Sequence, residues 1–101
     1  MLLCTDVGNT NIKFALYKGE KLLMKLRFPP NRRKTADDYA VDLYTIFRIN
    51  NVDVNEINGS IISSVVPIVT DLLGKAIFTV ANVESLVVGP GIKTGLDIRL
   101  D

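Results

Sequence analysis

The first third of the chain alternates between apolar and polar positions in the way that β-strands do. Residues 1–5 are a short apolar run, residues 12–17 alternate with a period of two, and residues 22–28 alternate again. Gly8-Asn9 and Lys18-Gly19-Glu20 separate the three runs and are typical turn sequences. The pattern predicts a meander of three antiparallel strands, with positive φ angles at Gly8 and Asn9 in the first tight turn.

The middle of the chain changes to helical and buried-strand patterns. Thr35 is a candidate N-cap with Asp38 at capping-box spacing, and a helix is predicted to run to about residue 50. Residues 60–66 are rich in β-branched side chains without alternation, which favours a buried parallel strand. Pro67 fits the first turn of a second helix that ends at Asn82. Residues 85–88 predict another short buried strand.

Both predicted helices carry an apolar stripe at helical spacing. The first stripe is expected to face the sheet and consists of Ala36, Ala40, Leu43, Tyr44 and Phe47. The second consists of Ile68 or Val69, with Leu72, Leu73, Ala76, Ile77 and Val80. Gly74 interrupts the second helix at a cost of about 1 kcal/mol relative to alanine, which suggests that another group approaches it closely.

A glycine-rich stretch, Gly89-Pro90-Gly91-Ile92-Lys93-Thr94-Gly95, follows the last buried strand. It is not a P-loop, because Ile92 separates the glycine from Lys93-Thr94 and a strand-like pattern at 96–100 follows in place of a helix. We interpret it as a rigid connection. The strand at 96–100 has no visible partner, so the sequence is expected to be truncated within a longer protein.

The order of elements predicts an α/β fold with a mixed sheet in the order 3-2-1-4-5 and helices packed on it. This order resembles the ribonuclease-H-like arrangement of the actin, sugar-kinase and chaperone ATPases. Residues 1–101 would form one N-terminal domain, which is expected to be truncated before a second domain. Ligands of such sheets gather at the carboxyl ends of the parallel strands, where the Asp6 turn and Ser63-Ser64 are expected to lie.

Composition excludes several classes of function. The chain has 101 residues, of which 48% are hydrophobic and 23% charged, and its net charge is +1, so bulk attraction to nucleic acid or membranes is not expected. One cysteine, Cys4, and no histidine leave neither a zinc site nor a histidine-based triad. A lone thiol in an apolar strand and the lack of an apolar spanning run favour a cytoplasmic protein.

The octet from Asp6 to Lys13 carries the candidate chemistry. It places a carboxylate at the end of one strand and an ammonium early in the next, with backbone amides and the Thr10 hydroxyl between them. Such a concavity suits a nucleotide phosphate held by amides and Lys13, with Asp6 facing Mg²⁺. An ordinary hairpin with a solvated lysine is the alternative that the octet alone leaves open.

Three blocks resemble the type III pantothenate kinases. They are Asp6-Val7-Gly8-Asn9-Thr10-Asn11 with Lys13, then Ile62-Ser63-Ser64-Val65-Val66-Pro67, then Val88-Gly89-Pro90-Gly91-Ile92-Lys93-Thr94-Gly95-Leu96. The resemblance covers essentially the whole chain. It implies ATP-dependent phosphorylation of pantothenate, the first step towards coenzyme A, by a homodimer that needs Mg²⁺ and a monovalent cation, K⁺ or NH₄⁺, bound outside this chain.

The resemblance also assigns roles by position. Asp6 would serve the Mg²⁺–phosphate end, Gly8, Asn9, Thr10 and Asn11 the phosphate oxygens, and Lys13 the developing charge. Ser64 and Pro67 would shape the cleft. The family's catalytic aspartate would lie beyond Asp101, so this chain alone is expected to be inactive, and Leu100 stands where many members have a tyrosine.

The sequence leaves two alternatives open. Members of the same family have been called Bvg accessory factors, which are transcriptional activators, and only the basic loop Arg32-Arg33-Lys34 could support a contact with DNA. A chaperone- or actin-like ATPase half would explain the first block but not the third. A Gly-Ala-Asp-Arg-like stretch immediately after Asp101 would favour the kinase over the chaperone- or actin-like ATPase half.

Overall fold

The computed structural model describes residues 1–89, so the predicted strand at 96–100 and the glycine-rich stretch after Gly89 lie outside the described residues. Five strands form one sheet: β1 (Leu2–Val7), β2 (Ile12–Lys18), β3 (Lys21–Phe28), β4 (Gly59–Ser64) and β5 (Ser85–Val88). Two helices, α1 (Ala36–Ile49) and α2 (Pro67–Ala81), and one 3₁₀ turn (Val54–Glu56) connect the later strands. No helix in this range is long and apolar enough to cross a membrane.

The strand order is β3-β2-β1-β4-β5, which confirms the predicted order. β1 pairs antiparallel with β2 and parallel with β4, while β2–β3 is antiparallel and β4–β5 parallel. The central strand therefore joins the meander to the βαβ crossovers. Ser60 and Ser85 add a side-chain hydrogen bond of 2.8 Å between β4 and β5.

The core lies between one face of the sheet and both helices. Leu3 and Val7 of β1, Phe14 of β2 and Ile62 of β4 are buried in one cluster with Tyr39, Leu43 and Phe47 of α1 and with Val69, Leu73 and Ile77 of α2. Successive strand residues point to opposite faces, so the residues between these core positions face away from the helices. A small second cluster, Cys4 and Ala15 with Leu2 and Tyr17, lies on that opposite face.

One polar group in the core has no hydrogen-bond partner in the described part of the chain. Thr5 is fully buried on the helix side of β1, and its Oγ1 atom is unpaired. A buried hydroxyl without a partner costs free energy, since it loses its hydrogen bonds to water.

Several predictions about the helices need correction. Tyr44 is 45% exposed, because the buried stripe of α1 is centred on Tyr39, Leu43 and Phe47 and residue 44 lies to one side of it. In α2, Val69 is the buried member of the predicted pair and Ile68 is exposed. No described atom comes within 4 Å of a Cβ built at Gly74, so the close approach expected there is not made by residues 1–89.

The strand predictions need smaller corrections. β1 continues through Asp6 to Val7, and β4 ends at Ser64, two residues before the predicted end. β5 is not buried: Leu86 and Val87 are 58% and 55% exposed. Within residues 1–89 this strand pairs only with β4 and forms an edge of the sheet, so a continuous apolar run here does not imply cover on both faces.

Candidate nucleotide-phosphate site

The β1–β2 hairpin contains the predicted site residues, and its register fixes their relation. Asp6 and Lys13 are direct cross-strand partners, one residue inside the ends of β1 and β2. Asp6 is also the parallel partner of Ser63 on β4. Both Asp6 and Lys13 alternate with core residues, so their side chains lie on the sheet face away from the helices. The fold therefore brings the predicted carboxylate and ammonium together.

Neither charged group is used inside the described structure. Within residues 1–89, the side chains of Asp6 and Lys13 make no hydrogen bond, and no ion pair joins them to each other or to another residue. Both are partly exposed. A carboxylate and an ammonium that share a face but are not engaged with the protein are available to a ligand.

The turn that joins the strands comprises residues 8–11 and is closed by one hydrogen bond. The Gly8 N–H donates to the Asn11 carbonyl at 2.9 Å, so the Gly8 amide is engaged in the turn. Among residues 1–89, no hydrogen bond from the N–H groups of Asn9, Thr10 or Asn11 is found. The Asn11 side chain donates to the Thr10 hydroxyl at 3.2 Å. Three amides and two polar side chains therefore remain at the surface of the turn.

The prediction of positive φ at Gly8 and Asn9 is wrong. In the described chain, positive φ occurs at Gly19, Asn51 and Asn82. A two-residue hairpin turn needs left-handed residues, whereas a four-residue loop is built around a turn that does not. A Cβ at Gly8 would lie 3.4 Å from the Asn11 carbonyl oxygen, at the limit of ordinary contact. Neither the φ angle nor the space inside the turn requires glycine here.

The β4–α2 junction lies next to the hairpin. The Val65 N–H donates to the Val7 carbonyl at 3.1 Å, and the Ser64 Oγ accepts from the Val66 N–H at 2.9 Å. Pro67 is in the first turn of α2, as predicted from its missing N–H. Ser64 is thus engaged in shaping this connection, and its hydroxyl holds the backbone that leads into α2.

A groove that the sequence did not predict lies between α2 and β5. Its volume is about 760 Å³, and its wall includes Ser64, Pro67, Gly74, Phe78 and Val87 but neither Asp6 nor Lys13. The signals for it were Gly74 and the half-exposed Phe78, which leave a shallow strip on the helix surface. The groove and the charged hairpin are separate features that meet at the β4–α2 junction.

Metal binding by the described residues would not involve a cluster of protein ligands. No group of three or more histidine, cysteine, aspartate or glutamate side chains that could hold a metal is found within residues 1–89. Mg²⁺ is often bound by one or two carboxylates together with phosphate oxygens and water, so the Asp6 carboxylate, which has no partner within residues 1–89, fits such an ion. Burial raises the pKa of the Cys4 thiol, which makes it a poor nucleophile and metal ligand.

Two solved structures from Thermus thermophilus share the fold of this chain. A ROK hexokinase from Thermus thermophilus superposes with a TM-score of 0.56 at 16% identity, over 87% of this chain and 34% of that one. Thermus thermophilus RuvC in complex with a Holliday junction substrate superposes with a TM-score of 0.55 at 14% identity, over 88% of this chain and 64% of that one. At such identities the likeness concerns the fold alone. The chain has the ribonuclease-H-like fold of the sugar-kinase and actin class.

Sequence relatives narrow the class to a family. The family model described as type III pantothenate kinase matches residues 2–101. Type III pantothenate kinases from Geotalea daltonii and Geobacter sulfurreducens are each 42% identical over 101 residues, which is all of this chain and 40% of each relative. The chain belongs to the type III pantothenate kinase family. It spans less than half the length of these relatives.

Proposed function

We propose that the intact protein transfers the terminal phosphoryl group of ATP to pantothenate, and that residues 1–101 form its N-terminal phosphate-binding domain. One observation carries the proposal: in this member of the family, the Asp6 carboxylate and the Lys13 ammonium lie opposite each other at the base of an amide-bearing turn, and neither has a partner within residues 1–89. Phosphoryl transfer depends on positioning and on stabilising charge, and these groups supply both.

Each residue of the hairpin has a role in this proposal. Lys13 binds the phosphate oxygens on which charge develops, and the amides of Asn9, Thr10 and Asn11 donate to oxygens of the same group. The hydroxyl of Thr10 and the amide of Asn11 add side-chain donors. Gly8 leaves the approach to the turn open, because no side chain projects there. Glycine is often used where a backbone must come close to a ligand.

Asp6 would hold Mg²⁺, directly or through water. When bound, the ion neutralises charge on the phosphates and keeps them in line with the acceptor. The Asp6 carboxylate lies next to Lys13 on the sheet face away from the helices and has no partner within residues 1–89. The monovalent cation, the catalytic aspartate and the contacts that would make a homodimer are assigned to the part of the protein beyond residue 101. A cytoplasmic location belongs to the same proposal.

A coupled assay of ADP release by the intact protein tests the function. We expect turnover that depends on pantothenate in the presence of Mg²⁺ and K⁺, and none from residues 1–101 alone. Asp6→Asn should abolish it, whereas Asp37→Asn, an exposed carboxylate on α1, should not. Absence of pantothenate-dependent turnover by the wild-type protein would refute the proposed acceptor.

The transcriptional alternative is less well supported by the described residues. Lys34 of the basic loop is paired with Asp42 and lies 5.6 Å from the centre of the Tyr39 ring. That leaves Arg32 and Arg33 as the loop's exposed cations, too few for a surface that binds DNA by phosphate contacts. Specific mobility shifts that persist near physiological salt would favour this alternative.

A further inference from the structure

A second cation lies beside the candidate site, on the neighbouring strand. Arg27 of β3 is the cross-strand partner of Lys13, which in turn is the partner of Asp6. Arg27 alternates with Leu26 and Phe28, which pack against the main core, so it shares the sheet face of Lys13 and Asp6. Neighbouring positions on four strands thus form one line across this face of the sheet, in the order Arg27, Lys13, Asp6 and Ser63.

The positions of Arg27 and Lys13 are unfavourable without an anion. Like charges directly opposite each other on a sheet destabilise the pair, and their Cβ atoms are separated by about 5 Å. The Arg27 side chain is exposed and, within residues 1–89, has no ion pair or side-chain hydrogen bond. An anion held by both side chains would turn this repulsion into attraction.

A simpler explanation is that cations protect an exposed edge strand from pairing with another chain. The other end of β3 offers a comparison, because Lys21 is the partner of Lys18 there. Glu20 lies between those two lysines in the turn, so a carboxylate is already at hand. Among residues 1–89, no carboxylate lies between Arg27 and Lys13 in the register, and Asp6 is on the far side of Lys13. Edge protection alone does not require a cation beside Lys13.

We propose that Arg27 is a further phosphate-binding residue of the site and holds the same nucleotide polyphosphate as Lys13. The guanidinium is planar and can donate two parallel hydrogen bonds to phosphate oxygens, whereas the lysine ammonium acts as a point charge. Lys13 would therefore supply charge to the polyphosphate, and Arg27 would fix its orientation. This inference rests on the proposed function, because that function supplies the anion.

Titration of the intact protein with ATP·Mg²⁺, without an acceptor, tests the role of Arg27. Arg27→Gln should weaken ATP binding by about 10- to 100-fold, the range for a lost hydrogen bond to a charged group. Arg27→Lys should give an intermediate affinity, since it keeps the charge but loses the two parallel hydrogen bonds of the guanidinium. Lys21→Gln makes a similar change on the same strand, about six residues away, and should leave the affinity within about twofold of wild type.

Thermal unfolding of the same variants separates binding from structure. Arg27→Gln removes a like-charge neighbour of Lys13, so it should leave the melting temperature unchanged or slightly raised. A loss of ATP affinity accompanied by a fall in melting temperature would assign Arg27 a structural role and overturn the proposal. Arg27→Gln and Lys21→Gln with equal ATP affinity would also overturn it.

The acceptor is measured separately, so the two proposals can fail independently. Wild-type protein that binds ATP but does not phosphorylate pantothenate would refute the proposed acceptor and leave the comparison of Arg27→Gln with Lys21→Gln intact. Unchanged ATP affinity in Arg27→Gln, with a raised KM for pantothenate, would assign the guanidinium to the acceptor's carboxylate. That result would overturn the phosphate assignment alone.

Discussion

The β1–β2 hairpin and the N-terminus of α1 contain the same kinds of side chain in opposite states. Each region has an aspartate, a threonine and a lysine within a few residues, beside a chain reversal. At α1, the Thr35 N–H donates to the Asp38 carboxylate at 2.9 Å, and the Asp38 N–H donates to the Thr35 hydroxyl at 3.1 Å. Lys34 is paired with Asp42. In the hairpin, Asp6 and Lys13 have no such partners within residues 1–89.

The polar groups at the start of α1 thus find their partners within the described chain. The Tyr39 hydroxyl donates to the Asn31 carbonyl at 2.8 Å and accepts from the Asn31 N–H at 3.0 Å, which ties the basic loop to the helix. Its polar groups stabilise a helix start, a role that needs no ligand. In the hairpin, one backbone hydrogen bond closes the turn, and the charged side chains of Asp6 and Lys13 have no partner within residues 1–89. Residue type alone therefore does not separate a candidate binding site from a helix cap; the hydrogen-bond and ion-pair partners of the side chains do.

The largest expected effect concerns the two lysines. Lys13→Gln in the intact protein should lower kcat/KM by about 100- to 1,000-fold, because the proposed role of Lys13 is to stabilise the charge that develops on the phosphate. Its melting temperature should change little, since the ammonium has no partner in the described structure. Steady-state kinetics and thermal unfolding of the same preparation measure both quantities.

Lys34→Gln is the matched control for this comparison. Lys34 has the same charge but is engaged by Asp42 and Tyr39, so its replacement should leave kcat/KM within about twofold of wild type. If both variants lose activity equally, or if Lys13→Gln is as active as wild type, then the distinction between engaged and free cations does not identify the site.

Much of the fold followed from local patterns. The alternation in β2 and β3, the capping spacing at Thr35 and Pro67 at the start of α2 are properties of short segments, and the element order fixed the sheet order. The capping box at Thr35 and Asp38 is present as predicted. These features needed no knowledge of distant residues.

The failures depended on information that a segment does not carry. The φ angles of Gly8 and Asn9 depended on where the strands ended, and a loop of four residues replaced a turn of two. The burial of residues 85–88 depended on what lies beside β5. The predicted site residues were brought to one hairpin, but Arg27 was missed as a neighbour because its position follows from the register of β3 on β2. The binding roles themselves stay predictions.

A smaller effect is expected at the helix cap. Thr35→Ala should destabilise the first turn of α1 by about 1 kcal/mol, because the Asp38 N–H loses its acceptor. Hydrogen exchange of the first-turn amides in the intact protein should then be about fivefold faster, while activity is unchanged. Unchanged exchange would show that the cap does not stabilise α1, and the proposed contrast with the hairpin would lose its basis.

The same cap gives an acid-dependent signature. The hydrogen bond from the Thr35 backbone N–H, with a second from its side chain, holds the pKa of the Asp38 carboxyl below its ordinary value of 3.8. The pKa of Asp38 is lower in the folded state than in the unfolded state. The stabilisation of the first turn by the Asp38 carboxylate is therefore complete above pH 3.8 and is lost as the pH falls through the pKa of the folded state. Asp38→Asn should remove this acid dependence of first-turn exchange, whereas Asp37→Asn should retain it.

The smallest effect is expected for the Lys34–Asp42 pair. Both side chains are more than a third exposed, so solvent screens the pair, and Lys34→Gln should cost a few tenths of a kcal/mol. The hydrogen bond to Asp42 raises the pKa of Lys34 above its ordinary value of 10.5. The stabilisation by the Lys34–Asp42 pair is therefore complete below pH 10.5 and is lost as the pH rises through the pKa of Lys34 in the folded state.

A double-mutant cycle of Lys34→Gln with Asp42→Asn, followed by thermal unfolding at neutral and strongly alkaline pH, isolates the coupling energy between the two side chains. A coupling that persists at alkaline pH would show that Lys34 and Asp42 interact through packing. The position of Lys34 would then be attributed to its contact with the Tyr39 ring and not to the ion pair.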